Sequence, residues 1–267
     1  MADPVDLYDS AYAGTAERVY QEVRRDTYGV DLGQTGWMAA EDLESCGRLM
    51  LLKNGSKMLE IGCGAGGCAV HLASTVGVEI TGIDMNERGI WQAKELAKAA
   101  GVSARARFLC IDASKQMPFD DCSFDAVFSN DAVCHIANRG RVFAEWYRVL
   151  RSAGRMLFTD AMILTGVLSN EEIATRSSIG IYFFLPRGEN ERLISEAGFS
   201  LLEARDTTQC PAEISKRWRQ ARARRQNELV RFEGETNFEG LQQFLSCVQK
   251  VSEERRLARY LYVAEKR

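Results

Sequence analysis

Short apolar segments alternate with stretches of helical spacing along most of the chain. The predicted strands are residues 58–61, 78–84, 106–112, 124–130 and 154–160. Between them, apolar residues recur three or four positions apart, as on the buried face of an α-helix. The helix that begins at Asn86 and stops at Gly101 is one example. Strands and helices that alternate with short connections predict an α/β fold with a parallel, doubly wound sheet.

The C-terminal part of the chain adds two strands, 199–205 and 257–264, which makes seven in all. The segment between them has helical character and is too long for a plain loop in a compact domain. We interpret it as a helical insertion that forms a lid over one end of the sheet. The predicted organisation is an N-terminal helical cover, a core and this insertion, at residues 1–50, 51–210 with 257–267, and 211–256.

Composition narrows the class of protein. A hydrophobic content of 46% and a charged content of 27% are ordinary for a globular domain of 267 residues. The net charge of -3 argues against a general affinity for nucleic acid, and no apolar run approaches the roughly 20 residues needed to cross a bilayer. The first residues lack the basic-then-apolar order of a signal peptide.

Cysteine spacing bears on metal binding and on the compartment. The eight cysteines are scattered and form no C-x-x-C pair, so we expect no metal site. Free cysteines inside apolar patterns behave as small hydrophobic residues, and a reducing cytoplasm is the simplest interpretation. The sequence leaves open whether the chain forms a homodimer.

A glycine-dense turn follows the first predicted strand and carries the strongest chemical signal. Gly62, Gly64 and Gly67 satisfy G-x-G-x-x-G, the dinucleotide-binding pattern. Glu60, Gly62, Gly64 and Gly66 also satisfy acidic-x-G-x-G-x-G, which resembles the S-adenosylmethionine (SAM) site of class I methyltransferases. A strand, a tight turn and a helix N-terminus together let a nucleotide-like ligand lie against bare backbone. The turn by itself fits either cofactor.

Polar residues at the ends of the following strands help to choose between the two cofactors. In an open α/β sheet, ligands bind outside the carboxyl ends of the strands. Asp84 can accept both ribose hydroxyls of either cofactor, and Met85 can pack on an adenine face. Asp112, followed by Ala113, can accept the exocyclic amine of adenine, which favours SAM. Asn130 ends the fourth strand at the same edge.

Residues 56–162 resemble small-molecule class I SAM-dependent methyltransferases. The phrases that carry the resemblance are Leu-Glu-Ile-Gly-Cys-Gly-Ala-Gly, Gly-Ile-Asp, Met-Pro-Phe-Asp-Asp-Cys-Ser-Phe-Asp-Ala-Val and Arg-Val-Leu-Arg-Ser-Ala-Gly-Arg. Ser-Ala-Gly at 152–154 departs from the proline-glycine-glycine turn that is usual there. The resemblance implies a Rossmann-like sheet, S-adenosyl-L-methionine as cofactor and a small-molecule acceptor.

A closer likeness is to the sarcosine/dimethylglycine and phosphoethanolamine methyltransferase-like group. In that group the fourth strand ends in an acidic residue with a histidine four positions on; here these are Asp131 and His135. We expect them to begin a helical turn, because i to i+4 spacing places both side chains on one face. The resemblance also implies that the segment 33–37, with Gln34 and Trp37, covers the methionine end of the cofactor.

The resemblance implies a role for each site residue. His135 would act as a general base toward the acceptor, unless it only caps or packs the following helix. Asp131 would orient His135 or hold a cationic amine. Glu60 would either stabilise the turn or approach the amino group of SAM. The predicted cofactor site comprises Glu60, Gly62, Gly64, Asp84, Met85, Asp112, Ala113, Asn130, Gln34 and Trp37.

Three functions stay open on these residues. The first is SAM-dependent methyl transfer to N, O or C of a small molecule by in-line displacement. The second is a nicotinamide-dependent oxidoreductase, and the third is a SAM-binding module without catalysis. The aromatic residues Tyr28, Trp37, Trp218 and those at 182–184 either line an acceptor pocket or belong to the core. The basic stretch 216–225 is either a solvated helix face or a binding surface for an acidic acceptor.

Overall fold

The structure is a computed structural model, and it describes residues 5–14 and 17–267. Its strands are β1 (Lys57–Ile61), β2 (Glu79–Asp84), β3 (Ala106–Cys110), β4 (Phe124–Ser129), β5 (Leu150–Leu164), β6 (Leu185–Pro186), β7 (Phe199–Asp206) and β8 (Leu257–Lys266). Its α-helices are α1 (Tyr8–Ala13), α2 (Arg18–Tyr28), α3 (Ala40–Leu49), α4 (Gly67–Thr75), α5 (Glu87–Ala99), α6 (Arg139–Val149), α7 (Asn170–Arg176), α8 (Glu189–Glu196), α9 (Gln209–Ala223), α10 (Gln226–Glu233) and α11 (Glu235–Glu253).

The strands form one sheet in the order β3-β2-β1-β4-β5-β8-β7. Strands β1 to β5 are parallel, whereas β8 runs antiparallel between β5 and β7. The predicted α/β fold with a mostly parallel, doubly wound sheet is therefore confirmed. The sheet has eight strands and not seven, because the two-residue strand β6 pairs with the end of β5. Such a short strand leaves no periodic pattern in the sequence.

Hydrophobic clusters lie on both faces of the sheet. Successive residues of β1 point to opposite faces, so Met58 packs with α4 and α5 while Leu59 and Ile61 pack with α6. All three side chains are fully buried. Burial on both faces explains why the parallel strands appear in the sequence as short, nearly continuous apolar runs.

A third cluster joins the N-terminal helices to the helices between β7 and β8. Val23 of α2, Trp218 of α9 and Phe244 of α11 belong to it, together with Trp37. Helices α9 to α11 begin two residues before the predicted insertion and otherwise fall within it. Helices α1 to α3 fall within the predicted cover, of which residues 1–4 and 15–16 lie outside the described part. The division of the chain into domains stays a prediction. No helix among residues 5–14 and 17–267 has both the length and the apolar character of a membrane span.

Candidate functional site

The glycine turn between β1 and α4 has a backbone that excludes larger side chains. Gly62, Gly64 and Gly66 have φ angles of 70°, 51° and 78°, in the left-handed region that only glycine adopts readily. A Cβ on Gly62 would also overlap the Cβ of Ala132, which follows β4. The turn therefore packs directly on the end of the neighbouring strand.

Asp84 fixes this turn from the end of β2. Its Oδ2 accepts a hydrogen bond from the backbone N–H of Gly64 at 2.9 Å, and its Oδ1 accepts from the N–H of Asn86 at 2.8 Å. The side chain of Asn86 in turn accepts from the N–H of Gly89 and caps α5, as expected of the residue that begins this helix. Each Asp84 oxygen keeps further lone pairs for a ligand.

One cavity of about 540 Å³ lies at the carboxyl ends of the parallel strands. All the residues predicted for the cofactor site and the acceptor line it, although their individual roles stay predictions: Gln34, Trp37, Glu60, Gly62, Gly64, Asp84, Met85, Asp112, Ala113, Asn130, Asp131 and His135. Further lining residues that were not predicted come from distant parts of the chain, among them Tyr8, Tyr12, Arg176 and Ile179.

Glu60 brings a buried carboxyl group to this cavity. Its side chain is 2% exposed, and its Oε2 has no hydrogen-bond partner among the described residues. Burial, with a smaller contribution from the charge of Asp84, raises the pKa of Glu60 to about 8, against a weaker opposing hydrogen bond from the backbone of Ala69. A cationic ligand group beside Oε2 would supply the missing partner and favour the ionised form.

Asp112 is more exposed and is held in its ionised form. Its Oδ1 accepts from the backbone N–H of Ser114 at 2.9 Å and from the Ser114 hydroxyl at 2.6 Å. These bonds, with the ammonium of Lys115 at 3.2 Å from Oδ2, lower the pKa of Asp112. Met85, 74% exposed, lies at the mouth of the same cavity.

The segment 30–37 covers the turn from the N-terminal side. Gln34 accepts from the N–H of Leu32 at 2.7 Å and donates to the carbonyl of Val30 at 3.0 Å, so its side chain shapes the segment itself. A Cβ on Gly67 would overlap the carbonyl of Leu32, which shows how closely the segment approaches α4. The indole of Trp37 packs inward against Trp218 and Phe244.

Asp131 does not begin a helical turn, so that expectation is wrong. It has a φ of 54°, and the short 3-10 helix that follows spans only Val133–His135. Its carboxylate accepts from the buried Arg259 at 2.8 and 3.1 Å, from the Thr159 hydroxyl at 2.9 Å and from the N–H of Trp37 at 3.0 Å. These partners from β8, β5 and the covering segment determine its conformation.

Asn130 belongs to the same network. Its Oδ1 accepts from Nη2 of Arg259 at 3.1 Å and lies 3.0 Å from the Thr159 hydroxyl oxygen, whose one proton it shares with Asp131. Asp131 and Asn130 are thus held by a buried arginine from the last strand, and no hydrogen bond joins Asp131 to His135 among the described residues. The orientation of His135 comes from elsewhere.

His135 is oriented by a backbone carbonyl and a tyrosine. Its Nδ1 lies 2.8 Å from the carbonyl oxygen of Ile181, and its Nε2 lies 3.1 Å from the hydroxyl of Tyr8. Because a carbonyl only accepts, Nδ1 carries the proton, and Nε2 of the neutral ring accepts from Tyr8. Burial lowers the pKa of His135 and raises that of Tyr8, so imidazole and phenol are both neutral.

The basic stretch 216–225 contributes nothing to the cavity lining. Arg222 forms a buried ion pair with Glu233, while Arg224 and Arg225 bond to Asp26 of α2. Trp218 and Tyr28 pack together in the third hydrophobic cluster. These arginines therefore join α9 to α2 and α10. In the described part of the chain, no group of three His, Cys, Asp or Glu side chains is placed to hold a metal ion.

Residues 59–158 match the family described as "Methyltransferase domain". The 27-O-demethylrifamycin SV methyltransferase of Amycolatopsis mediterranei is 30% identical over 164 residues, which make up 60% of this chain and 60% of that protein. The match thus spans less than two thirds of this relative's length.

Solved structures share the fold over most of the chain. Cyclopropane synthase MmaA2 from Mycobacterium tuberculosis has a TM-score of 0.81 at 15% identity, covering 98% of this chain and 99% of that one. Phosphoethanolamine N-methyltransferase 2 from Haemonchus contortus, in complex with S-adenosyl-L-methionine, has a TM-score of 0.78 at 22% identity, covering 96% and 60%.

Proposed function

Because this chain carries a SAM-dependent methyltransferase domain, we propose that it binds S-adenosyl-L-methionine at the glycine turn and methylates a small molecule. The observation that carries the proposal is that the turn, the two strand-end aspartates and a neutral histidine line one cavity. A nicotinamide-dependent oxidoreductase would use the turn and Asp84, but it gives Asp112 no function.

The residues present fit this cofactor. Gly62 and Gly64 line the cavity, so a ligand can lie against the backbone of the turn. Asp84 and Asp112 offer carboxylate oxygens to the ribose and the adenine, respectively. Glu60 offers the unpartnered Oε2 to the amino group of the methionine part. When bound, SAM supplies a methyl group on a positively charged sulfur.

Positioning supplies most of the acceleration in the proposed reaction. Methyl transfer is an in-line displacement, and correct orientation is worth effective molarities of about 10⁵ M or more. His135 accepts a proton from the acceptor where the acceptor arrives protonated, directly at Nε2 or through the Tyr8 hydroxyl. Asp131 holds the covering segment at Trp37 and is a positioning residue.

We also propose a cytoplasmic location, supported by the eight free thiols of the chain. The net charge of -3 supports a small-molecule acceptor over nucleic acid.

Calorimetric titration with S-adenosylhomocysteine and, separately, with NADH tests the cofactor. We expect S-adenosylhomocysteine to bind and Asp84→Ala to weaken that binding at least about tenfold, because the variant frees the turn and removes the ribose acceptor. Asp120→Ala is the matched control, since Asp120 is exposed and lies outside the cavity. Unchanged affinity in Asp84→Ala, or binding of NADH alone, would refute the proposal.

A further inference from the structure

Arg176, the last residue of α7, carries a positive charge that the fold itself does not neutralise. Its side chain is 2% exposed, and its Nη1 has no hydrogen-bond partner. Among the residues that the structure describes, no carboxylate lies within ion-pair distance of this guanidinium, whereas the other buried arginines, at 24, 139, 222 and 259, each bond to an aspartate or a glutamate. A buried, unpaired guanidinium is costly unless a ligand supplies the partner.

Aromatic rings occupy the faces of the guanidinium. The Arg176 Cζ lies 4.7 Å from the ring centre of Tyr182, 5.1 Å from that of Phe244 and 5.9 Å from that of Trp37. Contact of this kind stabilises the cation and leaves the Nη1 donor without a partner. The packing therefore holds a flat, charged donor in a fixed orientation.

The donors of Arg176 belong to the cavity of the candidate site. No other arginine and no lysine is among the lining residues that the structure describes. None of the described acidic lining residues forms an ion pair with Arg176: Asp131 has Arg259, Asp112 has Lys115, Asp84 has backbone N–H groups, and Glu60, whose pKa is raised, lies beyond ion-pair distance. An incoming anion would supply the missing counter-charge.

We propose that Arg176 binds an oxyanion, a carboxylate or a phosphate group, of the acceptor. The inference rests on the proposed methyl transfer and adds the chemical class of the acceptor. A guanidinium matches both oxyanions because it can donate two parallel hydrogen bonds to two oxygens. Tyr182, which stacks on Arg176, also lies with its ring centre 4.2 Å from that of His135. The acceptor thus carries its anionic group close to the atom that receives the methyl group.

An NMR titration tests this subsite with the protein saturated with S-adenosylhomocysteine. The probes are acetate, inorganic phosphate and, as the neutral match for acetate, acetamide. The readout is the indole N–H signal of Trp37, whose ring lies beside Arg176. We expect a saturable shift with at least one anion and none with acetamide. A preference for acetate assigns a carboxylate to the acceptor, and a preference for phosphate assigns a phosphate ester.

Three variants make the result specific. Arg176→Met keeps the length of the side chain and should weaken anion binding at least about tenfold. Arg176→Lys keeps the charge and should retain part of the binding even if Arg176→Met folds poorly. Arg217→Met is the control, because Arg217 is an exposed arginine of α9 outside the cavity.

Distinct outcomes overturn the subsite and the proposed function. Equal anion binding in the wild-type protein and Arg176→Met, or no saturable shift with either anion, overturns the subsite. Anion binding that occurs only in a parallel titration without S-adenosylhomocysteine, with weaker S-adenosylhomocysteine binding in Arg176→Met, would assign Arg176 to the cofactor carboxylate and equally overturn it. Failure of the wild-type protein to bind S-adenosylhomocysteine would instead refute the proposed function.

Discussion

At the scale of single residues, the site places two titratable groups in opposite environments. Glu60 is buried without a partner for one oxygen, and its pKa rises to about 8. Asp112 is more exposed and hydrogen-bonded, and its pKa falls. The two carboxyl groups therefore differ in charge near neutral pH in the ligand-free protein, and the ammonium group of the proposed cofactor would favour the ionised form of Glu60.

The shifted pKa of Glu60 predicts how stability depends on pH. The folded chain keeps this proton up to about pH 8, whereas the unfolded chain releases it near the ordinary value of 4.5. The ligand-free protein should therefore lose stability as the pH rises from about 5 through about 8. Glu60→Gln cannot ionise at this position, so its Tm should fall less than that of the wild type over this range. We expect the two decreases in Tm to differ by roughly 5 °C or more.

Differential scanning calorimetry of both proteins at about pH 6 and about pH 9 makes the comparison. Asp120→Ala serves again as an exposed control. Parallel Tm curves for wild type and Glu60→Gln would contradict the raised pKa. Glu60→Gln should also bind SAM more weakly at about pH 9, because the variant cannot pair with the ammonium group.

The tautomer of His135 can be measured without knowing the acceptor. The chain has two histidines, so in the variant His71→Gln the imidazole signals come only from His135. We expect an NMR titration to show the Nδ1–H form and a pKa below 6.5. Tyr8→Phe should raise that pKa, because the hydroxyl that bonds to the neutral Nε2 is lost. An Nε2–H tautomer, or titration above 6.5, would contradict this geometry.

At the scale of secondary-structure elements, Arg259 joins three parts of the site. It extends from β8 to Asn130 and Asp131 after β4, and Asp131 bonds onward to the covering segment at Trp37. The covering segment therefore depends on the last strand of the sheet, far away in sequence.

Arg259→Met should destabilise the protein by about 3–5 kcal/mol, since it leaves the Asp131 carboxylate buried without its counter-charge. Adding Asp131→Asn should restore part of this loss, because the amide is neutral and its oxygen still accepts from Trp37. Arg155→Met is the matched control on the same sheet: its partly exposed pair with Glu265 contributes about 1 kcal/mol or less. Chemical denaturation measures the free energy of unfolding of the two single variants and the double variant. An equal loss of stability in Arg259→Met and Arg155→Met would contradict the role of this network.

At the scale of the whole molecule, the sequence predicted those features that depend on the spacing of neighbouring residues. The strands, the glycine turn and the strand-end aspartates each depend on a few consecutive residues, and the structure brings them to one edge of the sheet. The partners of those residues depend on contacts across the fold. Tyr8 and His135 are 127 positions apart, and Arg259 and Asp131 are 128 apart. No local pattern connects such pairs, so the networks around Asp131 and His135 were missed.

Arg176 is a second feature that the sequence did not identify. In the sequence it is one of many arginines, and the basic stretch 216–225 was the more prominent candidate for binding an anion. The structure pairs that stretch with acidic side chains of α2 and α10 and leaves Arg176 unpaired beside the cavity. Charge density along the chain therefore did not identify the available cation; the lack of an acidic neighbour in space did.

The close contact between Gly62 and Ala132 limits how this protein can diverge in evolution. A side chain larger than alanine at position 132 would press against the turn and disturb the cofactor, so the segment after β4 has little freedom to explore new acceptors. The segment from α7 to Tyr182 also lines the cavity and contributes no residue to the turn, whereas Tyr12 of α1 lies against Gly64. New acceptor specificities should therefore arise by substitution between α7 and Tyr182, while the strand ends stay as they are.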